Sequence, residues 1–162
     1  MNLEYAGRKL FLKWSVINVA SLTLLWVICR MSWSQLSLLP PIGVLFLALI
    51  GLFFLVANVY AATLAWRSEY EDIRTRADHI GFAAHECPFI GLLGAVAGII
   101  LSLSSSTGGI QDPAGFAQAS ARAMSGLGVA FIPTFFGVYC RGVLWWIYHL
   151  LTMDAPDAKR QT

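Results

Sequence analysis

Glycines and serines set the chemistry this chain can do. Gly91, Gly94, Gly98, Ser102 and Ser105 follow one another at steps of three and four, so on a helix they share one face. A face without bulk lets a neighbouring backbone come close, and its hydroxyls can hydrogen-bond a passing ion. Further on, Ser125, Gly128 and Ile132 line up on one face with Ala121 above, and Gly126 and Ala130 give a second small strip. Pro133 removes one helical hydrogen bond and predicts a kink there. Small-residue faces by themselves imply only tight packing.

Other chemistries find no footing in the residues. Cys29, Cys87 and Cys140 have no CxxC spacing and read as small apolar filler. His79 and His85 are six apart, on different helical faces, and lack the companions of a metal site. Gly108-Gly109 is too short for a phosphate loop, and there is no GxxxxGK. Without a Ser-His-Asp arrangement, a metal cluster or an embedded carboxylate pair, the chain reads as a non-enzyme that uses no cofactor.

The elements that must hold these residues are membrane helices. Of 162 residues, 57% are hydrophobic and 12% charged, and mean hydropathy is +0.66. A soluble domain carries about a quarter charged residues and could not bury so much apolar surface. Net charge is only +2 and the basic residues are scattered, which points away from nucleic acid. The expected fold is all-α with four transmembrane helices. The first runs from about Phe11 to Trp33, flanked by Lys13 and Arg30, and reads as a retained helix rather than a cleaved leader. Pro40-Pro41 opens the second, Ile42 to Trp66, which has no charge. The third runs from Pro88, placed in its first turn, to Ser104. The fourth begins near Phe116 and continues past Arg141 to Leu151.

Four regions follow: residues 1–66 with two peripheral helices, a charged loop at 67–86, channel-like helices at 87–151, and a tail at 152–162. Mixed charges at helical spacing in 67–86 predict exposed turns continuing the second helix. Asn18, Ser21, Thr23 and Asn58 are expected to hydrogen-bond neighbouring helices. Arg8, Lys9 and Lys13 precede the first helix, Arg67, Arg74 and Arg76 lie in the charged loop, and Arg141, Lys159 and Arg160 lie toward the C-terminus. The other two connections carry only Arg30 and Arg122. This bias places both termini in the cytoplasm. All nine carboxylates read as lying outside the membrane helices, and Arg141 as a snorkelling anchor at the cytoplasmic edge.

The run Pro88-Phe89-Ile90-Gly91-Leu92-Leu93-Gly94-Ala95-Val96-Ala97-Gly98-Ile99 resembles a signature of the MotA/TolQ/ExbB proton-channel family, P-x-[IL]-G-[LI]-[LF]-G-T-V-x-G-[IM]. Ala119 to Pro133 is similar to its last-helix signature. Ser125 and Gly128 stand where T-x-x-G would be, and Ile132-Pro133 where Ile-Pro would be. Ala95 replaces a Thr common in ExbB and TolQ, and Ser125 keeps the hydroxyl of the family Thr. The four-helix layout is MotA-like and the Gly-Leu-Leu-Gly motif ExbB-like, while the short charged loop argues against a flagellar role. The resemblance covers about residues 86–150. It implies a bacterial inner-membrane subunit whose last two helices line a ring, resembling a pentamer. The ring encloses two helices of a single-span partner of the ExbD, TolR or MotB kind. The partner supplies the ionisable Asp, and the cargo is H+ or Na+. The implied ion-path residues are Ser125, Ser102, Ser105 and Ala95, and those that shape packing or pore are Gly91, Gly94, Gly98, Gly128 and Pro133. A non-transporting tetraspan scaffold is the alternative.

Overall fold

The computed structural model describes residues 3–36, 39, 41–67, 73–106 and 113–153. Within those helices the side chains of 3–7, 33, 35, 67, 74, 105, 106, 113–115, 118, 119, 122 and 125 lie outside the description. The described residues are helical nearly throughout: α1 (Leu3–Met31), α2 (Trp33–Leu36), α3 (Pro41–Arg67), α4 (Ile73–Ser106), α5 (Pro113–Ala130) and α6 (Ile132–Met153). Four stretches are long and apolar enough to cross a membrane: Arg8–Met31, Pro41–Trp66, Thr75–Ser104 and Gly126–Met153.

Pro41 opens α3, where a missing N–H costs nothing. Pro88 does not open α4. It sits deep inside a 34-residue helix, and its missing N–H removes the bond that the Ala84 carbonyl would accept. The helix begins at Ile73 instead, because Ile73, Ala77, Ile80, Ala84 and Cys87 form a buried stripe at steps of four and three. From Ile73 onward the charged stretch is therefore part of α4, with one face in the core rather than exposed, while residues 68–72 lie outside the described residues. At about 1.5 Å per residue, α4 is about 51 Å long, well beyond a hydrocarbon layer of about 30 Å.

The last segment is interrupted where Ile132-Pro133 predicts. Phe131 is a turn between α5 and α6, and only the Phe135 N–H to Phe131 carbonyl bond, 3.1 Å, carries the ladder across it. The residue before a proline disfavours helical geometry, which places the break ahead of Pro133 rather than at it.

The core joins α3, α4 and α6. Ala57, Ala61 and Leu64 of α3 meet the α4 stripe and Cys140, Leu144, Ile147 and Leu151 of α6. The largest interface is α4 against α6. The peripheral helix is α1, with Leu12, Val16, Val19, Leu22 and Trp26 all exposed. Ser21 ties it to α6. The Tyr139 hydroxyl donates to the Ser21 carbonyl at 2.6 Å and shares a 2.9 Å contact with the Ser21 hydroxyl. Three other polar groups turn back on their own helices. Asn18 donates to Trp14 O at 3.0 Å, Thr23 to Val19 O at 2.8 Å, and Asn58 to Phe54 O at 2.9 Å. Each satisfies itself one turn back instead of reaching a neighbour, and Asn58 Oδ1 has no partner.

Candidate functional site

The α4–α6 seam gathers most of the small residues. Gly91, Gly94 and Gly98 are all buried. A Cβ on Gly91 would lie 2.6 Å from the Pro133 carbonyl oxygen and 2.9 Å from Thr134 Cα. One on Gly94 would lie 2.9 Å from Phe46 Cβ and 3.0 Å from Pro133 Cβ, and one on Gly98 2.9 Å from Ala130 Cβ. Only hydrogen fits at these sites. Thr134 then uses the closeness, donating its hydroxyl to the Gly91 carbonyl at 3.0 Å.

The opposite wall contributes its own glycines. A Cβ on Gly137 would strike the Cys87 carbonyl and lie 3.0 Å from Pro88 Cα, and one on Gly126 would strike the Ser102 hydroxyl. These pairings run in descending order on one helix and ascending on the other, so α4 packs antiparallel to α5 and α6 across the break. Gly137 and Thr134 are seam residues that the periodicity of one helix does not reveal. Gly137 follows Pro133 by four, a signal that becomes readable once the facing helix is known.

The ion-path candidates divide. Ser102 is half-buried and points across the seam, its hydroxyl 3.5 Å from the Ala123 carbonyl. Ala95 is only 2% exposed. Neither faces open space in the chain. The backbones of Ser105 and Ser125 lie in α4 and α5, and their side chains lie outside the described residues. Pro133 is buried in the seam against Gly91 and Gly94.

Gly128 behaves differently from the other expected packing glycines. It is exposed, and a Cβ there would have nothing within 4 Å. Among the described residues no other helix approaches it closely. It opens onto a groove of about 480 Å³ with Ile28, Ser32 and Leu36 on one side and Phe131, Ile132 and Phe135 on the other. On α5, Ala117, Ala121, Met124 and Gly128 are all exposed at steps of four, three and four, with Ser120 beside them. The outer face of α4 is bulky by comparison, carrying Leu92, Val96, Ile100 and Leu103. A seam closed around glycine has no room for an ion. The outer face of α5 leaves Ala117, Ala121 and Gly128 open beside Met124.

Three charged groups stand on the long helices α4 and α6. Asp78 and Glu86 belong to α4, which starts a dozen residues before its uncharged part and is longer than a hydrocarbon layer requires. Arg141 stands within α6, twelve residues before its end. It follows Tyr139 by two residues, and Tyr139 bonds Ser21 in the middle of the uncharged run Trp14–Cys29. Nearer the end of α6, Tyr148 reaches Asp78 Oδ1 at 3.4 Å, and His149 packs edge-on to Trp145 with ring centres 4.9 Å apart. Among the described residues no three His, Cys, Asp or Glu side chains converge as metal ligands. The three cysteines are unpaired thiols.

Compared with known proteins, residues 59–160 match the MotA/TolQ/ExbB proton channel family, well over half of the chain. No curated protein and no solved structure matches it.

Proposed function

The chain belongs to the MotA/TolQ/ExbB proton channel family, and from that premise we propose that it is the ring-forming subunit of an ion-driven complex. In this reading it sits in the bacterial inner membrane with both termini in the cytoplasm. Copies of it, five by family resemblance, surround the membrane helices of a single-span partner that carries the ionisable Asp. The cargo is H+, or Na+ in some systems, and no cofactor takes part. One charge crossing 100 mV yields about 2.3 kcal/mol, roughly four times RT, enough to bias a step of the partner within the ring.

The observation that carries this reading is the outer face of α5. It lies inside the family match, packs on α4 and hardly on α6, and carries Ala117, Ser120, Ala121 and Gly128 with Met124 as the bulky exception. A carboxylate on a partner helix could approach such a face at its alanines and at Gly128. Ser125 is on the same helix and is the proposed hydroxyl in the path. Ser102, Ser105 and Ala95 are secondary candidates.

The test is partner-dependent proton leak in inverted membrane vesicles, with the chain and its candidate partner expressed together. Ser125→Leu is expected to abolish the leak, and Ser125→Ala to change it by several-fold. Leak untouched by both variants removes Ser125 from the path. A chain that stays monomeric in native mass spectrometry with its partner present removes the ring and favours a non-transporting scaffold.

A further inference from the structure

Arg141 is exposed on α6 and makes no hydrogen bond or ion pair with any described residue. It stands abreast of the middle of α1, through the Tyr139–Ser21 contact two residues earlier. Its neighbours one turn away on α6, Val138 and Trp145, are apolar and exposed. A guanidinium bounded by hydrocarbon is costly unless an anion meets it.

Glu86 has the matching need. It is half-buried, lies within the span Thr75–Ser104, and forms no ion pair among the described residues. Its neighbour Cys87 opposes Gly137, one turn before Arg141. With α4 and α6 antiparallel, Glu86 and Arg141 fall within about one helical turn of each other in depth, about 5 Å.

They nevertheless lie on different flanks. Glu86 is one turn beyond Phe82 and Ala83, which line a groove with Leu52, Phe53 and Val56 of α3. Arg141 is one turn beyond Gly137 on the other side of α4, the side where Tyr148 holds Asp78. Asp78, the other carboxylate of the span, is two turns from Glu86 toward the helix end and already has this hydroxyl partner. One chain thus offers a cation on one flank and an anion on the other, at matching depth. A contact of that kind repeats head to tail and closes into a ring.

We propose that Arg141 of each copy pairs with Glu86 of the neighbouring copy, an embedded ion pair that sets the spacing of the ring. It rests on the ring reading above. Removing one member leaves the other charge uncompensated, so the assembly should depend on both together.

The test uses the full chain with its partner. Native mass spectrometry compares wild type, Arg141→Glu, Glu86→Arg and the double reversal. Each single reversal is expected to lower the ring population about tenfold or more, and the double reversal to recover most of it. In a Cys29→Ser background, with Cys87 and Cys140 buried, chains carrying Glu86→Cys and chains carrying Arg141→Cys are co-expressed. A short thiol-reactive linker should then give a dimer only when both are present. Harmless single reversals, or a double reversal no better than the singles with no linked dimer, overturn the pair. The ring reading survives that result if the wild-type ring is intact. A monomeric wild type overturns both.

Discussion

Gly91 and Gly128 are the same residue in helices of similar composition, and they do opposite things. At Gly91 a methyl group would meet the Pro133 carbonyl at 2.6 Å, while at Gly128 it would meet nothing within 4 Å. The first glycine is used up by the chain's own fold. The second is left open, beside a groove and on a small outer face. Small residues in a membrane helix therefore mark close approach, and the facing helix decides whether that approach is internal or reserved for something outside.

This contrast can be broken most directly at Gly91. Gly91→Ala forces backbone apart along the seam and is expected to destabilise the chain by about 1–3 kcal/mol, read as a lower thermal midpoint in detergent. An unchanged midpoint would mean that the seam is looser than described. Tyr139→Phe tests a different attachment, that of peripheral α1. It leaves the Ser21 carbonyl without this donor and should cost about 1 kcal/mol, with α1 becoming more accessible to protease. Gly128→Ala is expected to have the smallest effect on stability, neutral or stabilising by about 0.5–1 kcal/mol, because alanine suits a helix interior better than glycine. Partner-dependent leak should fall in the same variant. A large loss of midpoint at Gly128 would erase the distinction between the two glycines.

Much of the fold is readable residue by residue. The uncharged run after Pro41, the steps of three and four from Gly91 to Gly98 and the break before Pro133 all follow from properties of a single helix. The onset of α4 does not. Asp78, Arg76 and Glu86 look like a charged connection until the buried stripe from Ile73 to Cys87 is seen against α3 and α6. The charged side chains flank that stripe on both sides and conceal it. Pro88 misleads for a related reason. Proline fits a first turn, yet tertiary packing on both sides holds it in the interior of a helix at the cost of one backbone bond. The face shared by Ser102 and Gly94 was legible, whereas the turning of the Ser102 hydroxyl toward Ala123 needed the partner helix.

The sequence by itself determined the membrane class, the number of apolar spans and the family, since composition, segment length and motif order are carried along one chain. Only the tertiary structure decided which glycines are consumed and which are open, that Glu86 belongs to α4, and that Arg141 lies level with the middle of α1. Those are matters of register between helices. Register is set by which small surfaces fit together, through contacts between residues as far apart as Ser21 and Tyr139.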